Sequence, residues 1–132
     1  MVELKTEDYT KIMEDCVAAW NRSDAEATAS YYADDLDYRD PNVPGGIANK
    51  EKFVTYLKIL FRKWPEQEWI GKNIMPHAKT GAFSISYNFK FGNNDKIIKG
   101  FGMDRIEFKG DKIQLNHVYL NAEYWSDWIK NV

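Results

Sequence analysis

The sequence predicts an α+β fold: three N-terminal helices packed on a strongly curved, mainly antiparallel sheet, with a pocket between the two layers. Apolar residues recur at helical spacing in the first half of the chain and alternate at strand spacing in the second. The strand-like stretches are joined by short turns, which makes an antiparallel meander. Helices that precede the strands, rather than alternating with them, gather on one face of the sheet.

Thr6 to Asn21 is the first expected helix, capped by Thr6, with Ile12, Cys16, Ala19 and Trp20 at helical spacing. Ser23 or Asp24 caps a short second helix over Ala25 to Ala33. Leu36 to Arg39 is a brief extended segment, followed by a loop at Asp40-Pro41-Asn42-Val43-Pro44-Gly45-Gly46. Asn49 caps a third helix, whose Phe53, Tyr56, Leu57, Leu60, Phe61 and Trp64 follow the i, i+3, i+4, i+7 pattern until Pro65 ends it.

Four long strands complete the chain. Gln67 to Lys79 carries Pro76, a sign of a bulge or an edge. Thr80-Gly81 turns into Ala82 to Phe91, where Phe83, Ile85, Tyr87, Phe89 and Phe91 alternate with polar residues. Gly92-Asn93-Asn94-Asp95 turns into Lys96 to Phe108, and Lys109-Gly110-Asp111 into Lys112 to Glu123. Glycines at 71, 81, 100 and 102 allow these strands to bend. A bent sheet closed by helices encloses a cavity, the usual place for a ligand.

The 132 residues suit one domain, 1–132. A net charge of −2 with no basic cluster gives no footprint for nucleic acid. No apolar run is long enough for a membrane span. The charged N-terminus lacks a signal-peptide core, which points to the cytoplasm. One cysteine and two distant histidines form no metal motif, and nothing calls for a cofactor. Gly100-Phe101-Gly102 begins like a dinucleotide loop, but it lies within a strand and ends on Arg105.

Two carboxyl groups carry the chemistry. Asp104 shares a strand face with Ile98, Gly100, Gly102, Ile106 and Phe108. A carboxyl group in apolar surroundings loses hydration and its pKa rises, so it can stay protonated and donate a hydrogen bond. The plainer reading is an aspartate that bonds a local hydroxyl or backbone group. Asp40, directly before Pro41, can sit at a cavity mouth as a general base. It can equally be a turn initiator.

Three stretches bear a family resemblance. Cys16 to Asp24 resembles the end of the first helix in ketosteroid isomerase-like proteins. Tyr31 to Pro41 resembles their following stretch, in which a loop aspartate precedes proline. Gly102-Met103-Asp104-Arg105-Ile106-Glu107-Phe108 resembles the strand with their second functional aspartate. The SnoaL-like branch of the same nuclear transport factor 2-like superfamily shares this layout. The resemblance covers nearly the whole chain and implies a cystatin-like cone with an internal pocket.

It also implies that Asp40 is a proton-shuttling base and Asp104 a protonated carboxyl that holds an enolate oxygen, as in ketosteroid isomerase. Cys16 stands where those enzymes have an oxyanion-hole tyrosine, and a thiol is the weaker donor; Tyr32, Tyr56 or Tyr87 can reach that point from elsewhere. SnoaL-like and epoxide-hydrolase-like members carry an aspartate near the end of the last strand, where this chain has Asn121. Both departures favour the alternative of a non-catalytic binding or dimeric accessory domain.

An apolar small molecule, such as a steroid, polyketide or terpenoid, is the expected ligand. Cys16, Trp20, Tyr32, Phe53, Leu57, Phe83, Tyr87, Val118 and Leu120 are the expected lining. By alternation Val118, Leu120 and Ala122 face inward. Leu115, His117 and Tyr119 join Phe101 and Met103 on the outer face, where family members pair as homodimers. His117 therefore reads as an interface residue. His77, beside Pro76 near a strand end, reads as structural or exposed. Cys16, mid-helix among apolar residues, reads as inert.

Overall fold

A computed structural model describes residues 4–77 and 82–122. The chain runs α1 (Thr6–Asn21), α2 (Ala25–Ala29), β1 (Tyr32–Arg39), α3 (Lys50–Lys63), β2 (Glu66–His77), β3 (Ala82–Gly92), β4 (Ile97–Lys109) and β5 (Lys112–Ala122). The expected turn at Thr80-Gly81, the strand ends at Lys79 and Glu123, and the side chains of Pro76, His77 and Ala122 lie outside the described residues.

The helices start close to where their caps predict. Asp24 caps α2 by accepting from the Ala27 N–H, and Asn49 caps α3 by accepting from the Lys52 N–H at 2.8 Å. At α1 the expected cap shifts by one residue: Lys5 is the cap, and the Asp8 carboxylate accepts from its backbone N–H at 2.8 Å. The buried face of α1 is Met13, Cys16, Ala19 and Trp20, with Met13 taking the place expected for Ile12.

The second helix is shorter than expected, because Ser30 and Tyr31 leave it. The Ser30 hydroxyl donates to the Ala27 carbonyl, and the Tyr31 carbonyl accepts from the Ile113 N–H at 2.9 Å. That long-range bond draws Tyr32 and Ala33 into a strand, so β1 starts four residues earlier than its local sequence suggests.

The five strands form one mixed sheet in the order β1-β5-β4-β3-β2. β2 to β5 are the expected antiparallel meander, and β1 pairs with β5 in parallel. β2 is an edge strand with an irregularity between Gly71 and Asn73. The helices cover the inner sheet face: α1 packs on β2 and α2, α2 on α3, and α3 on β1. Phe53, Leu57 and Phe61 of α3 join Tyr32, Leu36, Phe83 and Ile106 in one buried cluster.

Candidate functional site

At the α1 end of this core lies a cavity of about 50 Å³. α1 gives it Met13, Cys16, Val17 and Trp20, an i, i+3, i+4, i+7 set on one helix face. β1 adds Tyr32 and Tyr38, β2 Trp69 and Gly71, and β3 Ile85 and Tyr87. Asp104 of β4, with Asn116 and Val118 of β5, closes it.

Asp104 is held from two sides. The Tyr87 hydroxyl donates to Oδ1 at 2.6 Å, and the Asn116 amide donates to Oδ2 at 2.9 Å. The Tyr32 hydroxyl in turn donates to Asn116 Oδ1 at 2.7 Å, which fixes the amide so that its NH₂ faces the carboxylate. Sheet register explains the cluster: Asp104 pairs with Ile85 and Val118, while Asn116 pairs with the neighbouring Ile106, all on the inner face. Tyr87 lies opposite Gly102 in the register, and a β-carbon at Gly102 would come within 3.2 Å of its ring.

Burial pushes the Asp104 carboxyl up to about 6; the bonds from Tyr87 and Asn116 oppose that rise, and the negative field of Asp40 adds to it. Asp104 is half-buried and lines the cavity, so the group is desolvated without being fully covered. Burial, reinforced by neighbouring acidic groups, holds the Tyr32 and Tyr87 hydroxyls well above their usual range. Both stay protonated donors at neutral pH. Burial likewise pushes the Cys16 thiol up to about 12, against which Tyr32 acts only in part, so it is not a thiolate nucleophile.

Asp40 sits elsewhere. It is buried, but it is not part of the cavity lining. Its Oδ1 accepts from the backbone N–H groups of Asn42 (2.7 Å) and Val43 (3.2 Å). Its Oδ2 accepts from the Tyr38 (2.8 Å) and Tyr56 (2.5 Å) hydroxyls. This is the turn-initiator geometry, reinforced by two phenols. Tyr38 touches both places: its hydroxyl bonds Asp40 while the residue also lines the cavity.

Of the expected lining, Cys16, Trp20, Tyr32, Tyr87 and Val118 face the cavity. Phe53 and Leu57 lie outside it, fully packed in the core, because α3 covers the β1 side of the sheet while the cavity lies under α1, and Phe83 lies outside it because its ring packs against Tyr9 and Phe108. Leu120 is half-buried against the core near Gly102 and also lies outside the lining. Met13, Val17, Tyr38, Trp69, Gly71, Ile85 and Asn116 line the cavity without having been expected there from sequence. Asn116 had a readable signal, since it shares the alternating face of Val118 and Leu120. Met13 and Val17 fall on the Cys16–Trp20 helix face.

On the outer face Phe101, Met103 and Tyr119 are exposed, while Leu115 and His117 are half-buried. His117 Nε2 lies 3.2 Å from Asp37 Oδ2, away from the cavity. Among the described residues no group of three or more His, Cys, Asp or Glu could hold a metal ion, and no helix is long and apolar enough to cross a membrane.

Helices on one face of a mixed sheet are the architecture of solved structures described as having cystatin-like, nuclear transport factor 2-like and ketosteroid isomerase-like folds. The chain belongs to the SnoaL-like domain family, whose model matches residues 13–116. No curated protein matches it in sequence. Similar solved structures include an epoxide hydrolase of the LEH-like kind from M. tuberculosis (16% identity, 95% of this chain and 89% of that one, TM-score 0.78). A SnoaL-like protein of unknown function from Burkholderia thailandensis is similar at 16% identity, over 90% of this chain and 99% of that one, with TM-score 0.73. A hypothetical protein with a ketosteroid isomerase-like fold from Catenulispora acidiphila, in complex with trimethylamine, is similar at 13% identity, over 83% of this chain and 84% of that one, with TM-score 0.74. At these identities the likeness shows the fold alone.

Proposed function

We propose that the chain is a small-molecule pocket protein in which Asp104, rather than Asp40, meets the ligand, as an ionised acceptor of a hydrogen bond or a proton. The observation that carries this reading is the pairing at Asp104: both oxygens already accept, from Tyr87 and Asn116. A carboxyl group with two donors aimed at it is favoured as the anion, and with a pKa of about 6 it is mostly ionised at neutral pH. That differs from the protonated donor expected from the family resemblance. Asp40 then supports the loop after β1 and contributes its field. The Catenulispora protein, in complex with trimethylamine, supports a site of this fold open to small molecules.

Size bears on the ligand. Sites for drug-sized molecules run to about 300 Å³ or more, and this cavity is about 50 Å³. It supports a headgroup of a few heavy atoms rather than a fused ring system. A thermal-shift screen of small ketones, alcohols and amines tests the reading, because a bound ligand raises apparent stability. Hits are expected to stabilise the wild type and to lose their effect in Asp104→Asn. Hits that survive Asp104→Asn unchanged would remove Asp104 from the site.

Turnover on an apolar carbonyl compound is the second reading, favoured by a carboxylate that titrates close to working pH. Against it, the three tyrosine hydroxyls of the lining are already spent: Tyr32 on Asn116, Tyr38 on Asp40, Tyr87 on Asp104. None is left to hold an enolate oxygen. Deuterium uptake by a small cyclic enone in D₂O, followed by NMR, decides between the readings. Uptake that needs Asp104 supports an enzyme, and uptake at the background rate supports binding alone. For partners, the exposed Phe101, Met103 and Tyr119 support pairing of two copies through the outer sheet face, with Leu115 and His117 at its margin.

A further inference from the structure

Asp104 has a neutral donor on each oxygen and, among the described residues, no cation partner. Among the described residues that line the cavity there is no lysine, arginine or histidine. The polar side chains of its lining besides Asp104 are Cys16 and Trp20 from α1, Tyr32 and Tyr38 from β1, Trp69 from β2, Tyr87 from β3 and Asn116 from β5, all uncharged near neutral pH. Beyond Tyr38, Asp40 adds a second negative charge that Asp104 feels. The hollow therefore carries a negative potential with nothing inside it to balance it.

The rest of the wall is chiefly aromatic. Trp20 and Trp69 meet edge to face with centroids 5.8 Å apart, and Trp69 and Tyr87 do so at 4.9 Å. The rings thus surround one small space in different orientations. A ring face attracts a cation within about 6 Å of its centroid, and more strongly once both are desolvated.

We propose that the cavity is a binding site for a small organic ammonium headgroup, with its N–H directed at Asp104 and its alkyl groups against Trp20, Trp69 and Tyr87. This rests on the reading of Asp104 given above and names its ligand class. The competing chemistries fit less well. An anion meets the Asp104 carboxylate and the negative field of Asp40 behind Tyr38. A neutral carbonyl brings a second acceptor to a wall whose hydroxyls are spent. A hard metal ion wants about six oxygen ligands, and Asp104 is the one carboxylate in the described lining.

The test titrates trimethylammonium chloride into the wild type, Asp104→Asn and Trp69→Leu by NMR. tert-Butanol serves as a neutral probe of similar shape and sodium chloride as the ionic-strength control. Trimethylammonium is expected to shift the resonances of Cys16, Tyr87 and Val118 in the wild type. Because Asp104 titrates near 6, its affinity should be about tenfold weaker at about pH 5 than at about pH 7.5. Asp104→Asn is expected to lose at least about tenfold in trimethylammonium affinity while keeping any weak tert-butanol binding. Trp69→Leu should weaken the cation more than the alcohol. Equal affinity for the two probes in the wild type would overturn the ammonium proposal. If that shared binding still needed Asp104, the wider reading would stand. If neither probe moved a cavity resonance, both would fall.

Discussion

A carboxylate in a mostly apolar cavity weakens the fold it belongs to. The folded-state pKa of Asp104 is raised to about 6, above an unfolded value near 3.8. Its contribution to stability is therefore fully present below the unfolded value and is lost as pH rises through about 6. At neutral pH the loss is on the order of 2–3 kcal/mol. Asp104→Asn is expected to melt higher than the wild type at neutral pH, with the gain shrinking toward pH 4. Urea unfolding of both proteins across that window checks it, and a variant less stable at every pH would argue against a desolvated anion. Asp40 predicts the opposite. Asp40→Ala strands the Tyr38 hydroxyl, which is buried, and two loop N–H groups. It should cost about 2–4 kcal/mol by the same measurement. The sequence made both aspartates visible as candidates, and the partners of Asp40 at Tyr38, Asn42 and Val43 are local, as a turn residue's are; the partners of Asp104 come from other strands and left no local signal. Asn116 lies twelve residues from Asp104, and Tyr32 lies eighty-four from Asn116.

Secondary structure was legible wherever local pattern and tertiary packing agreed. α3 and the β3, β4 and β5 meander follow from periodicity and turn chemistry alone. The failures sit where a long-range bond decides. Tyr32 and Ala33 look helical in their local context, yet β5 draws them into a strand beside Ile113. The parallel pairing of β1 leaves no local signature, since its partner is some eighty residues away. Gly102 shows how one element tunes the site. A β-carbon there would meet the Tyr119 carbonyl at 2.6 Å, Leu120 at 2.9 Å and the Tyr87 ring at 3.2 Å. Gly102→Ala is therefore expected to destabilise by about 1–3 kcal/mol and to displace Tyr87 from Asp104. The wild-type Tyr87–Asp104 bond surviving in a structure of that variant would contradict this. Gly71 offers the contrasting case: it lines the cavity with open space where a β-carbon would go. Gly71→Leu should block probe binding at little cost in stability, as thermal melts with and without trimethylammonium would reveal.

For the molecule as a whole, one sheet separates two kinds of surface. The inner face meets the helices and holds the cavity. The outer face carries Phe101 at 58% and Tyr119 at 62% exposure, with Met103 and Ile70 close behind. Such a patch is what the proposed pairing of two copies would cover. Phe101→Glu with Tyr119→Glu is expected to shift a dimer to monomer in sedimentation equilibrium and leave Asp104 titration unchanged. A wild type that stays monomeric at high concentration would contradict the pairing. The parity of β4 and β5 made this division readable in advance. The size of the cavity was not readable, because it depends on how five aromatic rings from four elements pack together.

The account turns on the charge state of one side chain, which ¹³C NMR of the Asp104 carboxyl reads directly. It predicts a midpoint near 6, rising in Tyr87→Phe because a donor to the anion is lost. A midpoint at the ordinary aspartate value, or a carboxyl that stays protonated through neutral pH, would contradict it.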